Sequence, residues 1–231
     1  MNIGCIFARG GSKGLPNKNL IKLFNKPLIG WAIESAIKSK YIDKLFVSTD
    51  SDEIADIARD FGAEVPFKRP KSLASDNSPE IDSWRHFLNY MEKNCKDKID
   101  SLVSVPATSP LRDFNDIDKC VELFYEKNAD LVITVTDSYR SPYFNMVSIT
   151  ENQKANLVNK LSKPVFRRQD SPKTFDMCTI CFVASPKYVV NCKHQFDGKV
   201  FAHKVSRETS IDIDNIEDLN YANYLLSKNK Y

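Results

Sequence analysis

Long apolar runs are absent from this sequence, and no stretch approaches the ~20 apolar residues that a membrane-spanning helix needs. The first residues also lack the basic segment followed by an apolar one that a secretion signal has. Charged residues of one sign are not clustered. The 33 Lys and Arg are interspersed with 30 Asp and Glu, and the net charge is +3. We therefore expect a cytoplasmic protein that has neither membrane nor nucleic acid as its partner.

Histidine is scarce, with three residues, and none lies in a context typical of a catalytic triad. His86 falls within a helical pattern, which favours a packed or solvated side chain. Cys178-Thr-Ile-Cys181 has the spacing of a redox or zinc motif, with Cys192 and His194 as further candidate ligands. Because the motif lies in a predicted buried strand, where positions three apart face opposite sides, we expect packed, reduced thiols instead.

Near its start the sequence does have a strand that runs straight into a glycine-rich loop. Ile3 to Ala8 is a short apolar run typical of a buried strand. The loop that follows contains Gly10, Gly11 and Gly14 and the cations Arg9, Lys13 and Lys18. It matches neither the Walker A pattern nor Gly-x-Gly-x-x-Gly. Glycines allow close backbone approach and cations bind oxyanions, so the loop predicts a polyphosphate site; an ordinary turn with solvated lysines is the alternative.

Alternating strand and helix patterns predict an α/β fold with a parallel sheet and right-handed crossovers. The predicted strands are residues 3–8, 44–49, 101–105, 130–136, 177–184 and 200–205. The predicted helices are residues 28–37, 52–61, 79–91 and 115–126 and one from about 216, with caps at Ser51 and Asn215 and a stop at Gly62. We interpret the chain, 1–231, as a single domain with an inserted β-rich arm at about 138–175, where helical periodicity is lost.

Ser210-Ile-Asp-Ile-Asp214 is a second motif with chemical content. In an extended segment Asp212 and Asp214 point to one side, while Ile211 and Ile213 point to the core. The two carboxylates can then bind one Mg²⁺, which commonly takes one or two carboxylates together with substrate phosphates and water. A polar edge strand with two solvated acids is the alternative.

Two further segments suggest substrate contacts. Arg167-Arg168-Gln169-Asp170 offers guanidinium groups that bind a carboxylate or phosphate, which predicts an acidic second substrate. An internal salt bridge to Asp170 is the alternative. Residues 106–112 follow a predicted strand at its carboxyl end, where open α/β sheets bind ligands.

Six ordered motifs make the chain resemble the acylneuraminate cytidylyltransferases, or CMP-sialic acid synthetases, over nearly its full length. They are Ala8 to Asn19, Val47 to Ala55, Arg69-Pro70 with Leu73 to Asp76, Thr108 to Arg112, Arg168-Gln169 and Ser210 to Asp214. The resemblance implies a Rossmann-like, mostly parallel sheet of the nucleotide-diphospho-sugar transferase type, with helices on both faces. It also implies a homodimer in which the arm reaches the other subunit's sugar pocket.

The resemblance further implies three groups of site residues. Nucleotide and phosphate contacts are Ala8, Arg9, Gly10, Ser12, Lys13, Lys18, Asn19, Arg69, Ser75 and Asp76. Sugar contacts are Thr108, Ser109, Arg112, Arg168 and Gln169, with Arg168 on the sugar carboxylate. The catalytic group is Arg9, Lys13, Lys18, Asp212 and Asp214, of which the two aspartates hold Mg²⁺.

The implied reaction transfers CMP from CTP to the anomeric hydroxyl of a 2-keto-3-deoxy sugar acid of the sialic or nonulosonic type and releases pyrophosphate. One alternative is a related nucleotidyltransferase, acting on an eight-carbon 3-deoxy sugar acid or using another nucleotide. Another is a non-catalytic nucleotide-binding module, against which the retained pair Asp212 and Asp214 argues.

The sequence departs from the family pattern on the side of the acceptor sugar. Pro106-Ala107 stands where the family usually has Gln-Pro, and residues 178–182, Cys-Thr-Ile-Cys-Phe, stand where it usually has Asn-Gly-Ala-Ile-Tyr. The loop and the aspartate pair are intact, so we expect the reaction type to be retained and the acceptor sugar to be the open question. Tyr143-Phe-Asn-Met is similar to relatives that act on legionaminic-type sugars.

Overall fold

A six-stranded sheet is the centre of the structure, a computed structural model that describes residues 1–228 of the predicted 1–231 domain. In chain order the strands are β1 (Asn2–Phe7), β2 (Lys22–Leu23), β3 (Lys26–Pro27), β4 (Lys44–Ser48), β5 (Ser101–Ser104), β6 (Leu131–Asp137), β7 (Val147–Ile149), β8 (Ala155–Leu157), β9 (Phe175–Ala184) and β10 (Val200–Lys204). The main sheet has the order β10-β6-β9-β5-β1-β4, and β2–β3 and β7–β8 form two small hairpins.

The main sheet is parallel except for one strand. β1 pairs in parallel with β4 and β5, and β10 pairs in parallel with β6. β9 runs antiparallel to both of its neighbours, β5 and β6. The predicted α/β fold with a mostly parallel sheet is confirmed. The reversal of β9 follows from its connection, because the arm returns the chain beside the end of β6 instead of crossing the sheet.

Residues 1–228 contain six α-helices. They are α1 (Leu28–Ile37), α2 (Asp52–Asp60), α3 (Glu80–Asn94), α4 (Phe114–Glu126), α5 (Pro186–Asn191) and α6 (Ile216–Lys228). The predicted end signals are confirmed: Ser51 Oγ accepts a hydrogen bond from the Ile54 N–H, Asn215 Oδ1 accepts one from the Asp218 N–H, and Gly62 has φ +94°. The short helix α5 was not predicted.

The sheet is covered on both faces, as expected for buried parallel strands. In β1, Ile6 packs in a core cluster with Ile29 of α1 and Ile117 of α4. Ile3 of the same strand packs on the other face with Phe87 of α3. Successive side chains of one strand therefore contribute to two cores, which explains why β1 has no polar alternation.

All six cysteines lie within the described residues and are free thiols. Cys178 and Cys181 both lie in the buried part of β9, as the sequence predicts. They pack in the same core cluster, so the expectation that they face opposite sides is wrong; the pairing of β9 with β6 has a register shift at this point. A hydrogen bond with Cys181, together with burial, raises the pKa of the Cys120 thiol well above its usual value. His86 packs edge-on against Phe67, with 4.8 Å between ring centroids. Within residues 1–228, no helix is both long enough and apolar enough to cross a bilayer.

Candidate active site

The glycine-rich loop leaves the carboxyl end of β1 and is held in place by neighbouring polar groups. The Gly10 N–H donates to Asp50 Oδ1 at 2.9 Å. The Asn19 side-chain amide donates to the Arg9 carbonyl oxygen at 2.9 Å. Ala8 is buried where the strand ends, and Ser12 is partly buried. Asp50 was missed as a site residue, although its place just after β4, at the carboxyl edge of the sheet, is a usable signal.

All three cations of the loop form ion pairs with carboxylates. Arg9 Nη2 lies 2.7 Å from Asp76 Oδ1, and Lys13 Nζ lies 2.8 Å from Asp76 Oδ2. Lys18 Nζ lies 2.8 Å from Asp214 Oδ1. The hydrogen bonds from Lys13 and from Arg9 lower the pKa of Asp76. The structure therefore brings together predicted phosphate contacts and one predicted metal ligand.

The segment with the two aspartates lies directly against the loop. A Cβ atom on Gly14 would lie 2.5 Å from the Asp214 carbonyl oxygen, so only glycine fits there without a shift. The Ile213 N–H donates to the Thr108 carbonyl oxygen at 2.8 Å, and the Ile213 side chain is fully buried. Residues 211–214 belong to no described strand, so the alternative of a polar edge strand is wrong, whereas Ile213 packs in the core as predicted.

Asp212 and Asp214 differ in their surroundings. Asp214 is exposed and bound to Lys18, whereas Asp212 Oδ1 is buried without a hydrogen-bond partner among the described residues. An unsatisfied buried carboxylate oxygen fits a hard cation, which takes oxygen ligands. Residues 1–228 contain no group of three or more His, Cys, Asp and Glu side chains that could hold a metal. An ion here would need other ligands, such as phosphate oxygens and water.

Arg69 approaches the same edge of the sheet from the strand-like segment beside β4. Its N–H donates to the Thr49 carbonyl oxygen at 2.7 Å, and its Nη1 donates to Ser83 Oγ at 3.2 Å. The side chain is buried, which lowers the pKa of the guanidinium, and Nε and Nη2 have no partner in the described chain. Ser75 is exposed on the segment that follows.

Thr108, Ser109 and Arg112 fasten the loop after β5 to β9. Ser109 Oγ lies 2.7 Å and Thr108 Oγ1 lies 3.3 Å from Thr179 Oγ1. Arg112 Nη2 donates to the carbonyl oxygens of Pro106 and Thr179. Burial lowers the pKa of the Arg112 guanidinium to about 10.

Ser109 and Arg112 are buried, whereas Thr108 is partly exposed. The two buried residues therefore position the loop, and their contact with a sugar stays a prediction. Thr179 was missed, although it stands where the family usually has glycine. That departure was the available signal, because a side chain in place of glycine occupies space beside the neighbouring residues and contacts them.

Arg168 and Gln169 lie in the arm, in a single 3₁₀ turn, Arg168–Asp170. Arg168 Nη2 donates to the Ser138 carbonyl oxygen at 2.8 Å, and Gln169 is exposed. Arg167 forms two bonds to Asp170, of 2.7 and 3.1 Å, so the internal salt bridge is the observed state of Arg167. In the described chain no hydrogen bond joins Arg168 or Gln169 to Thr108, Ser109 or Arg112.

A family model described as Cytidylyltransferase matches residues 3–230. The chain belongs to the cytidylyltransferase family. This cytidylyltransferase is thus a nucleotidyltransferase, and the resemblance stated from its sequence motifs is confirmed.

Two relatives match the cytidylyltransferase along almost their whole length. The post-translational flagellin modification protein B of Campylobacter coli is 34% identical, over 96% of this chain and 94% of the relative. The CMP-N,N'-diacetyllegionaminic acid synthase of Campylobacter jejuni is 35% identical, over 96% of this chain and 93% of the relative.

Among solved structures, CMP:2-keto-3-deoxy-manno-octonic acid synthetase complexed with CTP has a TM-score of 0.72 at 15% identity. The match covers 98% of both chains. At this identity the likeness shows that the two proteins share a fold.

Proposed function

We propose that this cytidylyltransferase transfers CMP from CTP to the anomeric hydroxyl of a nine-carbon 2-keto-3-deoxy sugar acid. The observation that carries the proposal is the contact between the cationic loop and the aspartate segment, at Gly14 and at the 2.8 Å pair of Lys18 and Asp214. This contact brings three cations and two carboxylates to one edge of the sheet. The name of the C. jejuni relative supports a legionaminic-type sugar as the first acceptor to test.

The proposed reaction is an in-line displacement at the α-phosphorus of CTP. The anomeric oxygen forms a bond to that phosphorus, the bond from the phosphorus to the oxygen that bridges to the β-phosphorus breaks, and pyrophosphate leaves. The hydroxyl proton passes to solvent. Alignment of the two substrates contributes ~7 kcal/mol or more in well-oriented reactions.

Both substrates are anions, and their approach requires countercharge. Arg9, Lys13 and Lys18 would offset the repulsion and stabilise the charge that develops on pyrophosphate. As fixed protein groups they need little reorganisation during the reaction. Arg168 of the arm, an exposed residue, is the candidate ligand of the sugar carboxylate.

Asp212 and Asp214 are the residues that would hold Mg²⁺. The unpartnered, buried Oδ1 of Asp212 supports this assignment. When bound there, Mg²⁺ supplies Lewis-acid polarisation of phosphoryl oxygens. Asp214 would exchange its bond with Lys18 for the ion, and Lys18 would then donate to a phosphate oxygen.

The test of the function is pyrophosphate release from CTP with a panel of sugar acids. We expect release with Mg²⁺ and a legionaminic or neuraminic acid, no release when the acid is omitted, and loss of release when EDTA removes the metal. UTP in place of CTP tests the choice of nucleotide.

Two outcomes would support the alternatives. Release with only an eight-carbon 3-deoxy acid would move the assignment to that class of sugar. CTP binding by calorimetry without release from any acid would indicate a non-catalytic nucleotide-binding module.

We infer that the protein acts as a homodimer through the arm, residues 138–175. The arm exposes apolar side chains, including Phe166 at 84% and Ile149 at 70% of their full area. A segment that exposes several large apolar side chains favours an association surface. A second copy is the expected occupant, because the resemblance implies that the arm reaches the other subunit's sugar pocket. The cytoplasmic location stays a prediction.

The dimer is tested with Ile149→Asp, which places a charge on the exposed face of β7. We expect the wild-type protein to have the mass of a dimer by light scattering, and Ile149→Asp to shift it toward a monomer because burying an unpaired carboxylate is unfavourable. Val190→Asp, on α5 outside the arm and 51% exposed, is the matched control and should stay dimeric. A monomeric wild-type protein at micromolar concentration would contradict the inference.

A further inference from the structure

The Asp76 carboxylate lies between two cations that the proposed function gives to the triphosphate. Its Oδ1 is 2.7 Å from Arg9 Nη2, and its Oδ2 is 2.8 Å from Lys13 Nζ. Arg9 Nη1 also donates to the Ala74 carbonyl oxygen at 3.4 Å. The segment that carries Asp76 is therefore fastened to the glycine-rich loop by donors that would bind phosphate.

A carboxylate and a phosphate compete for such donors because both accept the same charge-assisted hydrogen bonds. Asp76 uses both of its oxygens, one for each cation. A phosphate group that takes these same donors of Arg9 and Lys13 replaces this carboxylate. The bonds from Lys13 and Arg9 also lower the pKa of Asp76, so the competing group stays ionised at neutral pH.

The resemblance places Asp76 among the nucleotide contacts, but its charge is of the wrong sign to bind a phosphate directly. The pairs it forms are partly exposed, with side-chain exposures of 34% for Arg9, 81% for Lys13 and 37% for Asp76. Exposed ion pairs are individually weak. A ligand with several phosphate charges can displace Asp76, and Asp76 can return when fewer charges remain.

We propose that Asp76 competes with the pyrophosphate product for Arg9 and Lys13, and that its return to these cations promotes product release. This role rests on the proposed function, since it takes the loop as the triphosphate site. Asp76 is then a residue that sets the affinity for pyrophosphate without contacting the reacting atoms.

The experiment is calorimetric titration of inorganic pyrophosphate into the whole chain. Asp76→Asn keeps the shape of the side chain and removes its charge, so we expect pyrophosphate to bind about 3- to 10-fold more tightly than to the wild type. Pyrophosphate should inhibit turnover of this variant at correspondingly lower concentrations. Asp76→Glu keeps the charge and should bind pyrophosphate more weakly than Asp76→Asn does.

Asp56→Asn is the matched control for net charge. Asp56 forms an exposed pair with Arg59, at 2.8 Å, on the outside of α2, and its loss should leave pyrophosphate affinity at the wild-type value. A measurement without any variant completes the test. Pyrophosphate should speed amide hydrogen exchange in residues 74–78 of the wild type, because it would release Asp76 from the loop.

The outcomes separate this role from the proposed function. Equal or weaker pyrophosphate binding by Asp76→Asn overturns the role of Asp76 and leaves the phosphate site intact. Absence of pyrophosphate binding by the wild type and by every variant overturns the phosphate site itself, and the role of Asp76 with it.

Discussion

Replacement of Asp212 by asparagine should lower kcat by about 10²- to 10³-fold at saturating CTP. The amide keeps the size of the side chain but removes the charge that would hold Mg²⁺, which is worth several kcal/mol of transition-state stabilisation. The buried Oδ1 of Asp212 lacks a hydrogen-bond partner in residues 1–228, and this observation supports the proposed metal assignment. The rate of pyrophosphate release, measured across a Mg²⁺ series, checks the effect.

Glu217→Gln is the control for Asp212→Asn. Glu217 is an exposed acid in the first turn of α6, close in sequence to the aspartate pair, and its loss changes the net charge equally. We expect it to keep the wild-type rate and Mg²⁺ requirement. Near-normal kcat in Asp212→Asn would contradict the metal assignment, whatever the control does.

Gly14→Ala should lower both the thermal stability and the activity. The new Cβ would lie 2.5 Å from the Asp214 carbonyl oxygen, a backbone atom that cannot move aside like the end of a side chain. Overpacking of this kind typically costs about 1–3 kcal/mol, which corresponds to a decrease in Tm of roughly 2–12 °C. A displacement near 1 Å of the aspartates from the cationic loop can lower turnover roughly 10²-fold.

Gly11→Ala tests whether this effect is specific to the contact. Gly11 lies in the same loop, but a Cβ there would meet no described atom within 4 Å. Its Tm should therefore stay within about 2 °C of the wild type, as for a surface substitution. If both variants lose the same stability, the loop tolerates no alanine and the Gly14 contact is not the cause.

Most of the fold could be predicted from local sequence patterns. The apolar run of β1, the stripe of α1, the cap at Ser51 and the stop at Gly62 are all determined within a few residues, and each has its predicted structure. The direction of β9 could not be predicted in this way, because it depends on pairings with β5 and β6 more than 30 residues away. The two-residue strands β2 and β3 are too short for a periodic signal.

The candidate site also could be predicted only in part. The cationic loop and the two aspartates were found because their residue types and spacing already limit the chemistry. Their mutual contact, at Gly14 and Lys18, spans about 200 residues of chain and has no local signature. The hydrogen bonds of Ser109 and Arg112 to Thr179 of β9 likewise join residues about 70 positions apart in the chain and have no local signature.

The reversal of β9 has a consequence for how the arm can change. Asp137, at the end of β6, pairs directly with Phe175, at the start of β9, so the two ends of the arm are neighbours in the sheet. An excursion with adjacent ends can be shortened, lengthened or exchanged for another without altering the order of the sheet. The two roles proposed for the arm, binding the sugar acid and binding a second subunit, can therefore change together while the loop after β1 and the aspartate segment stay in place.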